Sequence, residues 1–214
     1  MAVPMKPEYG PTLGELLAPR WRAASPLARR AVIAVGVGLL VAIVAAVLTL
    51  ENSSFSHGGR VPFSFSYRDL YSVGPDPGGY VKVQRRSSSG RLEDSFAIDP
   101  LRLPPYSGSL SGELPLYASN YIRGLSRQDR DFALRGEGKT KVNGIPTAYD
   151  VFYTTVVEGR TMYGRDFLLL PERPGVREGV NIVVLMAPRP GVISPSEVAA
   201  SGILVRPLKS FTFD

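Results

Sequence analysis

Few side chains in this 214-residue chain could carry out chemistry. Cysteine is absent, which removes thiolate nucleophiles, disulfides and cysteine-based zinc or iron–sulfur sites together. The single histidine, His57, lies in the polar segment 52–60, and one imidazole without further ligands makes neither a metal site nor a triad. Carboxylates remain. Glycoside hydrolysis needs only two acids a set distance apart, and Asp99, Asp150 and Asp166 could supply such a pair. No nucleophile-elbow serine, GxGxxG run, P-loop or HExxH stands beside them. The favoured expectation is that the chain is not an enzyme: no catalytic residue, no metal ligand and no cofactor.

The other chemistry on offer is charge. Arg85, Arg86 and Arg91 bracket a Ser/Gly turn at residues 87–90, and clustered guanidinium groups suit the geometry of phosphate oxygens. That makes them candidate contacts for an anionic partner such as phospholipid headgroups or a phosphate-bearing wall polymer, with Glu93 and Asp94 diluting the field. Arg123, Arg127, Arg130 and Arg135 alternate with Asp129 and Asp131, a mixture typical of solvated ion pairs. The net charge of +6 divides into +3 over residues 1–30 and +3 over residues 51–214, with none between. So thin a spread gives no concentrated basic face, and no nucleic-acid partner is expected.

The element with the plainest signature is residues 31–50, AVIAVGVGLLVAIVAAVLTL, twenty residues without a charge. As a helix such a run is about 30 Å long, the thickness of a bilayer's hydrocarbon core. Its sequence leaves no polar stripe for a buried helix of a soluble fold. Arg29 and Arg30 abut its start with Arg20 and Arg22 close behind, whereas Glu51 follows its end and the next basic residue is Arg60. The positive-inside bias then puts residues 1–30 in the cytoplasm and everything after the span outside, in a single-pass protein of the cell membrane. A cleavable signal peptide is the competing expectation, but an apolar run of about 7–15 residues is usual there, so an uncleaved signal anchor is preferred. The tail, residues 1–30, holds Pro4, Pro7, Pro11, Pro19 and Pro26, which limit helix continuity, and residues 51–60 read as a polar linker.

Residues 61–214 then form one external domain. Residues 61–67 and 80–86 alternate as strands, and residues 91–98 pair back across the Ser/Gly turn. Leu114, Tyr117, Ala118, Tyr121, Ile122 and Leu125 repeat at helical spacing over 114–125, with Pro115 suited to the first turn. Strands return at 132–142, 147–157, 161–170 and 180–187, joined by Asn143-Gly144 and Glu158-Gly159, which suit hairpin turns needing positive φ. Residues 195–208 hold a short helix before Phe211 and Phe213. The fold class is α+β, an antiparallel sheet of about five to seven strands with helices packed on its faces.

The element order and several phrases resemble the PsbP-like α/β/α sandwich over residues 61–214. They are the run from Val142 through Asn143, Gly144, Ile145, Pro146, Thr147 and Ala148 to Tyr149; the run Tyr163, Gly164, Arg165, Asp166 and Phe167; and the ending Leu208, Lys209, Ser210, Phe211, Thr212 and Phe213. That fold includes the extrinsic photosystem II subunit, a Ran-binding import factor and mycobacterial envelope lipoproteins. The resemblance implies a binding or adaptor protein, carries no functional residue across, and supports neither a photosystem nor a nuclear role. The leading expectation is a membrane-anchored extracytoplasmic binding or adaptor domain of the cell envelope, with an envelope protein or an anionic polymer or lipid as partner. Two alternatives stay open, an envelope hydrolase using paired carboxylates and a lipid or small-ligand carrier. The latter needs an apolar cavity between helix 114–125 and the sheet.

Overall fold

The structure, a computed structural model, describes residues 25–48, 52–68, 71–173, 175–200 and 202–214. It divides into two units, residues 1–50 and residues 51–214. The first contributes α1 (Pro26–Leu48), apolar on all sides beyond Arg30. Its side chains are described as far as residue 42, so the described uncharged run, 31–42, is about 18 Å of helix. Among the described residues no helix is long and apolar enough to cross a membrane. The expected span over 31–50 extends past them, and Arg20, Arg22, the Arg29 side chain and the proline-rich start of the tail also lie outside them.

The second unit is α+β. Its larger sheet is antiparallel throughout, in the order β3 (Ser72–Gly74), β4 (Val81–Arg86), β5 (Leu92–Arg102), β9 (Glu178–Met186), β8 (Arg160–Leu169), β7 (Ile145–Val157), β6 (Ala133–Val142). A smaller antiparallel sheet joins β1 (Asn52–His57), β2 (Phe63–Arg68) and β10 (Thr212–Phe213), with β2 central. Tight turns make the local pairings: Asn143 and Gly144 (φ 44° and 83°) close β6 onto β7, and Glu158 and Gly159 (φ 54° and 73°) close β7 onto β8. The long-range pairing of β5 with β9 sets the middle of the large sheet, while α2 (Leu110–Gln128) carries the chain across one face to the far edge.

Strand periodicity sorts the core into two layers. One face of the large sheet presents Phe96, Ile98, Phe167, Leu169, Val180, Ile182 and Val184 to Phe63, Phe65, Leu204, Leu208 and Phe211. The opposite face presents Val151, Leu168 and Leu170 to Leu114 and Ala118 of α2. Gly164 belongs to that second layer. It pairs with Tyr153, and a Cβ there would strike the Tyr153 ring, so glycine lets the ring lie across the neighbouring strand.

Three expectations need correction. Residues 51–60 do not stay a linker, because β1 occupies 52–57 with Ser53, Phe55 and His57 turned inward. The His57 ring stacks on Phe63 at 5.2 Å and lies 4.4 Å from Tyr80, so it behaves as an aromatic of the core rim. The face away from α2 is covered mainly by the small sheet, supplemented by α3 (Val205–Ser210) and a 3-10 turn at Pro195–Glu197, instead of by a full helical layer. Pro115 sits in the second turn of α2, where helix 110–128 begins earlier than its apolar stripe.

Candidate functional site: an arginine-lined cleft

The structure brings the anticipated basic trio to one hairpin, since Ser87 N–H donates to Arg91 O (2.9 Å) across the turn. Two of the three charges are already engaged. Arg85 donates to Asp94 through Nε (2.9 Å) and pairs with Glu93 (3.0 Å), and Arg189 holds the other oxygen of Asp94 at 2.7 Å. Asp94 is fully buried, so these guanidinium groups compensate a desolvated carboxylate. Burial pushes the neighbouring Tyr71 hydroxyl up to about 12, with the Asp94 charge adding to the rise. Arg86 pairs with Glu158 at 2.8 Å, and that guanidinium together with the Leu92 N–H holds the Glu158 carboxyl below its usual range. Arg91 is exposed and, among the described residues, makes no ion pair.

The candidate carboxylates do not meet in a cleft. Asp150 stands opposite Phe167 and Asp166 opposite Val151, so the two acids project from opposite faces of the sheet. Asp150 is bound to Arg165 at 2.7 Å, whose guanidinium lies over the rings of Phe152 and Phe167 at 4.6 and 4.7 Å. Asp166 is sealed beneath α2. Tyr121 O–H donates to its Oδ2 at 2.6 Å and Tyr153 O–H to its Oδ1 at 3.0 Å, and Asn181 Nδ2 donates to the Tyr121 oxygen at 2.9 Å. Desolvation pushes the Asp166 carboxyl up to about 7, the two tyrosine hydrogen bonds hold it down in part, and the charge of Asp99 raises it further. Asp99 shares that face, half-buried beside Asp76, and burial followed by the Asp76 charge raises it too. Spacing in sequence had no means of showing which of these acids reach solvent.

The pocket beside α2, between Ser111, Leu114 and residues 146–149, is about 190 Å³. That falls short of the roughly 300–1,000 Å³ typical of small-molecule sites. Among the described residues no group of three or more His, Asp or Glu is placed to hold a metal ion.

A different concavity carries the chemistry. At the start of β2 a cleft of about 290 Å³ is walled by Arg60, Arg102, Arg173 and Arg177, with Val61, Val176 and Phe213 as apolar surface and Glu178 and Asp214 as its acids. Each arginine arrives from a different segment. Arg60 comes from the β1–β2 connection, Arg102 ends β5, and Arg173 and Arg177 belong to the loop before β9. Arg177 is fixed, donating from Nε (3.2 Å) and Nη2 (3.1 Å) to the Leu103 carbonyl, while Leu103 N–H donates to Arg177 O (2.8 Å). Arg60 reaches Glu178 at 3.3 Å with its own side chain 81% exposed, a weak pairing in solvent. Asp214 accepts from Ser64 Oγ at 2.9 Å. Among the described residues the side chains of Arg102 and Arg173 have no partner. The cleft continues past Pro171 and Arg173 into a depression of about 400 Å³ between Asn143–Ile145 and Phe211–Phe213. Two unengaged guanidinium groups converging with a fixed third are an arrangement that binds carboxylate or phosphate oxygens. Sequence reasoning missed this site because its cations are scattered over 118 positions of chain, from Arg60 to Arg177: the β5–β9 pairing brings Arg102 to the loop of Arg173 and Arg177, and the smaller sheet supplies Arg60.

Comparison with known proteins bears on the fold. No family model matches the chain and no curated protein matches its sequence. Among solved structures, LpqN, involved in cell envelope biogenesis of Mycobacterium tuberculosis, matches at 8% identity and a TM-score of 0.51, over 76% of this chain and 91% of that one. A Pseudomonas aeruginosa protein of unknown function matches at 13% identity and a TM-score of 0.39, over 64% and 84% of the two chains. The chain is thus similar in fold to one protein involved in mycobacterial cell envelope biogenesis. The wider PsbP-like group remains a resemblance of phrases and element order.

Proposed function

We propose that this chain is a membrane-anchored binding or adaptor domain of the cell envelope, with its tail cytoplasmic and residues 51–214 outside, and that it takes an anionic partner in the arginine-lined cleft. The anchor rests on the uncharged run 31–50 and on α1, where Val32, Ile33, Val35, Val37, Leu39, Leu40 and Val41 all stand more than half exposed. So much aliphatic surface on every side of one helix suits lipid and not water. The fold likeness to a protein involved in cell envelope biogenesis supports the envelope as the setting. Binding rests on one observation, the convergence of unpartnered Arg102 and Arg173 on a concave surface.

Titration of a poly(glycerol phosphate) into the detergent-solubilised full chain tests the cleft. Binding should weaken as salt rises, because phosphate contacts by exposed cations are screened. The double variant Arg102→Gln/Arg173→Gln should bind at least about tenfold more weakly, each charge-assisted contact being worth roughly 1.5–3 kcal/mol. Both positions are exposed, so the variant keeps its urea midpoint. Equal binding by wild type and variant would remove the cleft from the account.

A further inference from the structure

The end of β2 remote from Arg60 carries a second basic surface, which the proposed function leaves without a role. There Arg68, Arg206 and Lys209 rim a groove of about 440 Å³, with Ile203 and Val205 half-buried in its wall and no acid in its lining. Among the described residues none of the three cations makes a side-chain hydrogen bond or ion pair. This sets them apart from Arg85 and Arg86 of the hairpin, which neutralise acids of their own chain. The groove is also rigidly built. Ser66 N–H donates to Ser210 Oγ at 2.8 Å, and that hydroxyl donates its one proton to Arg206 O at 2.8 Å, so α3 is stitched to β2 beside Arg68. Strand register adds the decisive placement. Arg68 pairs with Asn52, the first residue of β1, and in sequence Asn52 stands two positions after the apolar run ends at Leu50.

We propose that the Arg68–Arg206–Lys209 groove docks on anionic phospholipid headgroups of the membrane that holds the anchor. The proposal rests on the reading of residues 31–50 as a membrane span. Three unneutralised cations complement the negative surface potential that anionic lipids give to the leaflet that carries them, here the outer one. The aliphatic wall lets Arg and Lys stems lie along apolar surface while their heads reach phosphates. Arg60 lies at the opposite end of β2, a six-residue strand roughly 20 Å long, so docking by the groove leaves the arginine-lined cleft free for a partner.

The test uses the full chain in vesicles. Because the chain has no cysteine, Ala200→Cys, an exposed position near α3, gives a single site for a fluorophore. The labelled chain is reconstituted into vesicles of phosphatidylcholine alone or of phosphatidylcholine with phosphatidylglycerol, each with a trace of lipid bearing a quencher on its headgroup. At the roughly fivefold that each basic residue near an anionic surface contributes, three cations shift the docked population by about 100-fold. Quenching should therefore rise sharply with phosphatidylglycerol, and fall to the phosphatidylcholine level in high salt and in Arg68→Gln/Arg206→Gln/Lys209→Gln. The Arg102→Gln/Arg173→Gln variant should be quenched like the wild type, and unchanged urea midpoints confirm that the variants fold. Equal quenching in the two vesicles overturns the proposal. So does a triple variant quenched as strongly as the wild type, and so does suppression of phosphatidylglycerol-dependent quenching by millimolar inorganic phosphate at constant ionic strength, which would make the groove a site for a soluble anion. Flotation of the chain with both kinds of vesicle separates the two ideas: a chain that floats without lipid-dependent quenching keeps its anchor and loses the docking, whereas one that fails to float loses the anchor.

Discussion

Burial of Asp166 between Tyr121 and Tyr153 makes the domain's stability depend on pH in an unusual direction. An acid whose folded pKa lies above its unfolded one is protonated more readily in the native state. The unfolded carboxyl titrates near 3.8 and the folded one near 7, so native protein holds the extra proton between those values and stability falls as pH rises through that window. Three pH units correspond to about 4 kcal/mol. Asp166→Asn keeps a hydrogen-bonding amide without the titration, so its urea midpoint should lose less than the wild type's between pH 4 and pH 8. Far-UV circular dichroism in detergent follows this, the only tryptophan, Trp21, being in the tail. Parallel pH profiles for the two proteins would mean that Asp166 does not titrate in this range.

At the scale of elements, the hairpin between β4 and β5 separates structural charge from available charge. Arg85→Ala leaves the buried Asp94 with Arg189 alone and should cost about 2–3 kcal/mol. Arg91→Ala removes an exposed, unpaired side chain and should stay within about 0.5 kcal/mol. Urea midpoints of the two variants decide this, and equal losses would contradict the pairing. The same hairpin shows how far sequence patterns reach. Alternating apolar residues placed β2 and β4 to β9 within a few residues, and the Asn143-Gly144 and Glu158-Gly159 turns fell where glycine supplies positive φ. β1 escaped because NSSFSH offers one aliphatic or aromatic side chain besides histidine, and β3 because three residues show no period. Local pattern also cannot state which distant strands pair. Hence β5 meeting β9, and with it the arginine-lined cleft, was invisible, while the cations that were adjacent in sequence proved to be spent on Asp94, Glu93 and Glu158.

At the scale of the whole molecule, the proposal turns on which side of a membrane each part of the chain lies. Arg20, Arg22, Arg29 and Arg30 precede the apolar run, and the stretch from Glu51 to Gly59 has no basic residue except the one histidine. Lysine and arginine near a span favour the cytoplasmic side, and the proposed orientation rests on this asymmetry. A chain without cysteine makes the consequence directly measurable. Ala2→Cys should react with a membrane-impermeant maleimide only after cells are permeabilised, whereas Arg91→Cys, exposed at the hairpin tip, should react in intact cells. Alkaline carbonate should leave the chain in the membrane pellet, because the proposed span would be held by the hydrocarbon core and not by salt-sensitive contacts. Labelling of Arg91→Cys only in permeabilised cells would put residues 51–214 in the cytoplasm, where neither an envelope partner nor an outward-facing headgroup could reach the two basic surfaces at the ends of β2.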